Sequence, residues 1–385
     1  MPPTGRLTGR ILTTLEELEP YVPEWDALAV ARRLVYCAPG WVLPWWRHVA
    51  PAEAELRVVV VLDGQRLVGI APFYAHSQFG AIAGYRMIGA AVTHRIEPLA
   101  PADAIEEVAA TIARTLAAAR PVPARVRFDG IPDDSPWPRL LANAWPGRGR
   151  PFIHREPGIP APTVSLAYEG FDAWMGTKSA NFRRQMRQMR RRLESRGAVF
   201  RTATTPEEMA AGLPDFERLH LARWESRGGS STLTPQVVDM LLAAGRELVP
   251  DGRFRLESIE LDGQTISSHL FVSAGDETSY WLGGFDDRYA AHSPSMVSLV
   301  GAVREGFDRG DTRLDLGQGA QPYKYRLADG QDCLNWLTLV PPGPHYGRAM
   351  ILLAPRRLRF AITQRLSPET KARLRRLLGM RPRGW

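Results

Sequence analysis

The sequence predicts an α/β (α+β) chain of two similar domains in tandem, each a mixed twisted sheet flanked by helices. Three observations carry this. At 385 residues the chain is too long for one ordinary core and long enough for two that need no staples. Residues 280–325 pass through strand, loop, helix, strand and glycine-rich turn without a break. Segments 58–75 and 257–274 share Leu-Asp-Gly-Gln between apolar strands, at the corresponding point of each half, as a duplication would leave it.

In the first half, 15–33 reads as helix, and Pro39-Gly40 precedes Trp41, Trp45 and Trp46, a cluster expected to pack rather than stack on a ligand. Residues 56–62 form a continuous apolar strand, Asp63-Gly64 a hairpin turn and 67–73 the return. An amphipathic helix over 102–119 then leads to a strand over 124–128. The first domain is therefore expected over 1–150, a proline-rich linker over 151–162, and the second domain over 163–345. A tail, 346–385, reads as two helices, 346–366 and 368–378, with eight arginines from Arg348 to Arg376 and Lys371. Such basic amphipathic segments suit an anionic membrane surface or an acidic partner, or else dock on the protein's own surface.

Composition narrows the function classes. Two cysteines, Cys37 and Cys333, make neither a disulfide framework nor a metal-ligand set, so no metal is expected. The sequence shows no apolar run of membrane-spanning length and no signal-peptide core, which points to a cytoplasmic protein, membrane-peripheral at most through its tail. An excess of 49 Lys+Arg over 41 Asp+Glu, +8 in all, favours anionic partners such as phosphorylated cofactors, carrier proteins, RNA or an acidic surface.

The second half holds the candidate chemistry. In 181–197, Phe182, Met186, Met189 and Leu193 recur on one helical stripe while Arg183, Arg184, Arg187, Arg190, Arg191 and Arg192 surround it. Those arginines form either a solvated face or a phosphate-facing groove wall. His220, Arg223 and Trp224 fall on the next helix, where they shape an acceptor pocket or, for Trp224, pack the core. His269 sits inside a strand, as hydrogen-bonded structure or as a general base, for which Asp286 and His292 also qualify. After the aromatic strand 280–282, Gly283-Gly284 lets the backbone leave, and Asp286 opens a polar loop. Ser293 is the expected N-cap, with Pro294 at the first helical position, then Ser295 and Met296. A helix opening beyond a strand presents unpaired amides, a receptor for phosphate. Next come the strand 313–316, which holds Asp315, Gly317-Gln318-Gly319, and Tyr323-Lys324.

Taken in order, Gly283-Gly284-Phe285-Asp286, Tyr289, Ser293-Pro294, a helix ending at Gly310, Leu314 to Gly319 and Tyr323-Lys324, preceded by 181–197 and 219–231, resemble the GNAT superfamily. The branch they resemble is that of the bacterial cellulose-biosynthesis-type acetyltransferases, over roughly 160–340. The family has glycine after the Ser-Pro pair; this chain has Ser295. The tandem arrangement resembles that of Fem-type aminoacyl transferases. The resemblance implies an N- or O-acyltransferase that moves an acyl group from acyl-CoA (acetyl-CoA) or an acyl-carrier protein to an amine or hydroxyl of a small molecule or saccharide. It implies donor binding by Ser293, Pro294, Ser295, Met296, Gly283, Gly284, Arg183 and Arg187, and acceptor binding by His220, Arg223, Trp224 and Asp286. Tyr323 would donate a proton to the leaving thiolate, and Lys324 would carry fixed charge towards phosphate or the oxyanion, beside Asp315 and His269. DNA is not an expected partner. The alternatives are an aminoacyl-tRNA donor, or a non-catalytic GNAT-fold module in a polysaccharide-synthesis complex, which Ser295 favours.

Overall fold

Residues 7–365, apart from 79–81, 91, 226–229 and 231, are described by a computed structural model. The expected tail helix over 368–378 and part of the 219–231 segment lie outside them. Contacts divide the chain into two units, one of Met1–Trp46, Ala50–Gly158 and the chain from Cys333, the other chiefly Ile159–Asp332.

In the first unit the chain runs β1 (Thr8–Leu12), α1 (Leu15–Leu18), α2 (Val22–Ala31), α3 (Pro39–His48), β2 (Glu55–Asp63), β3 (Arg66–Gln78), β4 (Ile82–Met87), α4 (Ile105–Ala118), β5 (Arg125–Pro132), α5 (Trp137–Ala144) and β6 (Phe152–Arg155). The helix expected over 15–33 is broken by a 3₁₀ turn at Glu19–Tyr21, because Pro20 and Pro23 supply no amide to the ladder. Trp41 and Trp45 are buried as expected, Trp45 against the Tyr74 ring. The sheet order is β1-β2-β3-β4-β5, then β13 (Gly330–Val340), antiparallel throughout except for the parallel pair β4–β5 that α4 bridges.

The second unit runs β7 (Ile159–Ser165), α6 (Phe171–Gly176), α7 (Ala180–Ser195), β8 (Val199–Thr202), α8 (Pro206–Glu225), α9 (Pro235–Leu248), β9 (Phe254–Leu261), β10 (Gln264–Ala274), β11 (Glu277–Phe285), α10 (Pro294–Arg309), β12 (Arg313–Asp315) and α11 (Pro322–Tyr325). Its sheet order is β8-β9-β10-β11-β12-β7, again antiparallel except for one parallel pair, β11–β12, bridged by α10. Both units thus repeat one succession of pairings. The shared Leu-Asp-Gly-Gln lies at the equivalent hairpin in each, set one residue out of step. Asp262 and Gly263, both at positive φ, form a two-residue turn between Leu261 and Gln264, whereas Asp63 still pairs with Arg66 and the turn opens on Gly64.

Several segments differ from their local pattern. Cys333–Val340 lies with the first unit because β13 pairs with β5 and β6. The 151–162 stretch contains β6 and the start of β7. Pro160 and Pro162 fit a strand there by accepting: their carbonyls take the amides of Gly319 at 2.7 Å and Leu316 at 3.0 Å. The stripe Phe182, Met186, Met189, Leu193 is buried as its spacing predicts, each side chain contributing about 1.5–3 kcal/mol of apolar burial. Helix α12 (Tyr346–Arg365) buries Ala349 and Leu353 against Ala124 and Val340 of the first unit. No described helix is long and apolar enough to cross a membrane. Cys37 is fully buried, its thiol pushed up to about 12 by loss of water, and both cysteines are free.

Candidate active site

The site begins where two parallel strands part. β11 pairs with β12 only as far as Ser279 opposite Asp315, while β11 itself continues to Phe285 along β10. After Asp315 the chain swings to β7 through Leu316 and Gly319. Gly317 and Gly319 take φ of 74° and 105°, values that cost a residue with a Cβ. The turn is braced from inside. Asp315 accepts the Gly317 amide at 3.0 Å, and the Lys324 ammonium donates to the carbonyls of Gly317 at 2.9 Å and Gln318 at 2.7 Å. Burial pulls the Lys324 pKa down to about 8, against the opposing pull of Asp315. Lys324, expected to carry charge towards a ligand, and Asp315, expected beside it, are thus both engaged with the turn's own backbone.

Behind the opening, His269 of β10 is fully buried. Its Nε2 lies 2.9 Å from Ser295 Oγ in the first turn of α10, and its Nδ1 lies 3.4 Å from Ser267 Oγ, itself 3.4 Å from Ser298 Oγ. Burial first, and the Arg223 charge second, pull its pKa down to about 3, so it stays neutral around pH 7. Ser295, where the resembled family has glycine, is the residue that ties the helix to this imidazole. Ser293 stands at the N-cap position in left-handed backbone, with no cap bond from its side chain, while Pro294 and Met296 are buried.

Gly283 and Gly284 do not release the strand, which runs through both. A Cβ on Gly283 would lie 2.3 Å from the His269 ring and 2.8 Å from the Tyr280 hydroxyl. On Gly284 it would lie 2.5 Å and 2.6 Å from the backbone of Leu219 and His220. The pair lets a histidine, a phenol and a helix backbone approach a strand that side chains would hold off.

At the mouth, Tyr280 and Tyr323 interact through their phenols. Burial raises the pKa of both, with each phenol also acting on the other and the Arg223 charge opposing the rise. Arg223 lies over the Phe285 ring at 5.2 Å. His220 is buried, its Nε2 2.9 Å from Ser230 Oγ and its ring between Phe216 and Trp224; burial pulls its pKa down to about 4. The structure thus brings together His269, Ser295, Tyr323, Gly283, Arg223 and His220. It places others elsewhere. Asp286 caps the turn Asp287–His292 and pairs with Arg288 at 2.6 Å. Arg183 donates to the carbonyls of Gly176 and Lys178 at 2.9 and 2.6 Å, closing the end of α6. Arg187 lies on the exposed face of α7 beside Arg184, Arg191 and Arg192. His292 contacts Arg196 at 2.8 Å.

Sequence reasoning missed Tyr280, Ser267 and Ser298. Their signals were the i, i+2 spacing of Ser267 and His269, which share a strand face, and the i, i+3 spacing of Ser295 and Ser298 on a helix. Among the described residues no group of three or more His, Cys, Asp or Glu is placed to hold a metal ion.

Residues 180–325, the span from the start of α7 to the end of α11, match the model of the acetyltransferase (GNAT) domain, so a GNAT-type domain occupies that stretch. No curated protein matches the sequence. Among solved structures, FemX is similar at a TM-score of 0.61 and 12% identity, over 82% of this chain and 95% of its own. The C-terminal domain of a candidate lysylphosphatidylglycerol synthetase from Agrobacterium fabrum is similar at 0.54 and 12% identity, over 87% and 95%. A tandem GNAT protein from the clavulanic acid biosynthesis pathway follows at 0.45 and 16% identity, over 88% and 99%. At these identities the likeness concerns the fold.

Proposed function

We propose that the GNAT-type domain transfers an acyl group from an acyl thioester, acyl-CoA first among them, to an amine or hydroxyl held near Arg223 and His220. The observation that carries this is the pair of protonated phenols, Tyr280 and Tyr323, beside the opening where β11 and β12 part. An open strand edge suits an extended, amide-bearing arm, since it presents backbone groups at strand spacing. The acceptor's lone pair attacks the acyl carbon, the carbon–sulfur bond breaks, and the thiolate takes the Tyr323 hydroxyl proton; the acceptor's own proton restores the phenol. His269, neutral and fully buried, serves as a positioning residue that holds the first turn of α10 through Ser295. Rate enhancement then comes mainly from placement and from backbone donors near the developing oxyanion. A saccharide acceptor fits the resemblance to the cellulose-biosynthesis branch.

In a thermal-shift series, acetyl-CoA should raise the melting temperature, since a ligand that binds only the native state stabilises it. With a responsive acceptor, Tyr323→Phe should leave donor affinity unchanged and slow turnover about 10²-fold. Equal turnover in the two proteins would remove Tyr323 from the chemistry.

An aminoacyl-tRNA donor is the second reading, favoured by the exposed arginines that share one face of α7. It predicts stabilisation by aminoacyl-tRNA, lost at high salt, with none by acetyl-CoA. Stabilisation by neither donor would favour a non-catalytic binding module.

A further inference from the structure

We propose that the cleft between α6, α7 and α10 binds a linear alkanoate, its chain laid on Met186, Val297 and Val300 and its carboxylate held by Arg187 and Arg304. Helical periodicity assembles the walls. On α7, Arg183, Met186, Arg187 and Arg190 recur at i, i+3, i+4 and i+7; on α10, Val297, Val300 and Arg304 recur at i, i+3 and i+7. Phe171 and Met175 stand one turn apart on α6, so each helix turns one stripe to the same space. The α10 stripe lies roughly opposite Ser295 around the helix. The cleft is therefore separate from the side of α10 that meets His269.

The lining is apolar below and basic above. Met186 and Val297 are buried at the floor, while Phe171, Met175 and Val300 are only partly buried against the same core and line the cleft with what they leave open. The space measures about 140 Å³. A cavity of about 150 Å³ takes a benzene-sized group, so a chain of about six carbons fits. Apolar surface left open within a basic rim is the composition of a binding site rather than of a solvated helix face.

Charge selects the head group. Arg183 is engaged with the carbonyls of Gly176 and Lys178, and Arg190 pairs with Glu194 at 2.8 Å. Arg187 and Arg304 are exposed, and among the described residues neither has a hydrogen-bond or ion-pair partner, so their donors are open to a ligand. The Arg304 guanidinium carbon lies 3.9 Å from the centre of the Phe171 ring, and a guanidinium stacked by its face keeps its N–H edge for an anion. Asp172 stands at the same rim, so these two guanidiniums carry one positive charge in excess. One carboxylate, which takes a guanidinium fork, matches that excess; a neutral or cationic head does not.

The test is calorimetric titration of the full-length protein, at constant ionic strength, with hexanoate, butanoate, acetate, hexanol and hexyl phosphate. Hexanoate should bind where acetate and hexanol do not, and affinity should fall about fourfold for each methylene removed between hexanoate and butanoate. Arg304→Gln should weaken hexanoate about tenfold or more, as loss of a hydrogen bond between ionised groups does. Val300→Phe should fill the cleft and abolish binding, and Arg304→Gln, on the exposed rim, stands alone if that variant does not fold. Saturating acetyl-CoA should leave hexanoate affinity unchanged. Binding of hexanol or acetate as tight as that of hexanoate, displacement of hexanoate by acetyl-CoA, or wild-type hexanoate affinity in Arg304→Gln would overturn the site. Tighter hexyl phosphate would overturn the carboxylate in favour of a phosphate head. Hexanoate binding and its loss in the variants need neither a donor nor turnover, so failure of the acyl-transfer reading would leave them standing.

Discussion

At the scale of residues, the candidate site is built from groups that support one another before they meet a substrate. Lys324 illustrates this. Its ammonium holds two carbonyls of the Gly317–Gly319 turn, so Lys324→Met should cost about 1.5–3 kcal/mol in urea unfolding, because two buried acceptors lose a charged donor. Loss of donor binding with unchanged stability would instead place the ammonium at the ligand. Gly283→Ala should cost about 1–3 kcal/mol, since its methyl group meets the His269 ring and the Tyr280 hydroxyl. The residue types were legible: histidine in a strand, serines at the helix start, tyrosine and lysine after a glycine turn. Their partners were not, because the 2.9 Å contact between His269 and Ser295 joins positions far apart in sequence.

At the scale of elements, periodicity served where one element packs one stripe. The α7 stripe is buried as spaced, since a 3.6-residue period puts those side chains on one side whatever they pack against. Strands chosen by distant partners were harder. β13 carries no local sign that it will pair with β5 and β6, and the prolines of β7 imitate a linker. Helix α12 gives a prediction of its own kind. Its arginines suit an anionic surface or an acidic partner, or else docking on the protein's own surface, and Ala349 and Leu353 are buried against the first unit. Truncation before Tyr346 should therefore lower the melting temperature by several degrees, and Leu353→Ala should cost about 2–5 kcal/mol. An unchanged melting temperature on truncation would show that the helix adds nothing to the fold.

At the scale of the whole molecule, two repeats of one pairing scheme carry buried neutral histidines in the second, and this sets the acid response. His269 and His220 have folded pKa values of about 3 and about 4, against 6.5 unfolded. Below 6.5 the unfolded chain therefore binds protons that the folded chain does not. Stability present above that pH is lost as pH falls towards those values, by about 1.4 kcal/mol per unit for each histidine. Urea unfolding at pH 7 and 5 measures the slope, and His269→Gln should reduce it by the contribution of one proton; an unchanged slope would mean that this imidazole is protonated when folded. By itself the sequence determined the tandem α/β class and the strand–helix–strand unit over 280–325, and it singled out Tyr323, His220 and His269 though not Tyr280. Those follow from local periodicity, turn chemistry and residue type. Only the tertiary structure decided that β11 and β12 part after Ser279, that Lys324 and Asp315 face a backbone turn, and that Ser295 meets His269. Each depends on strand register and on which surfaces meet when the chain closes, quantities set by the summed packing of distant segments.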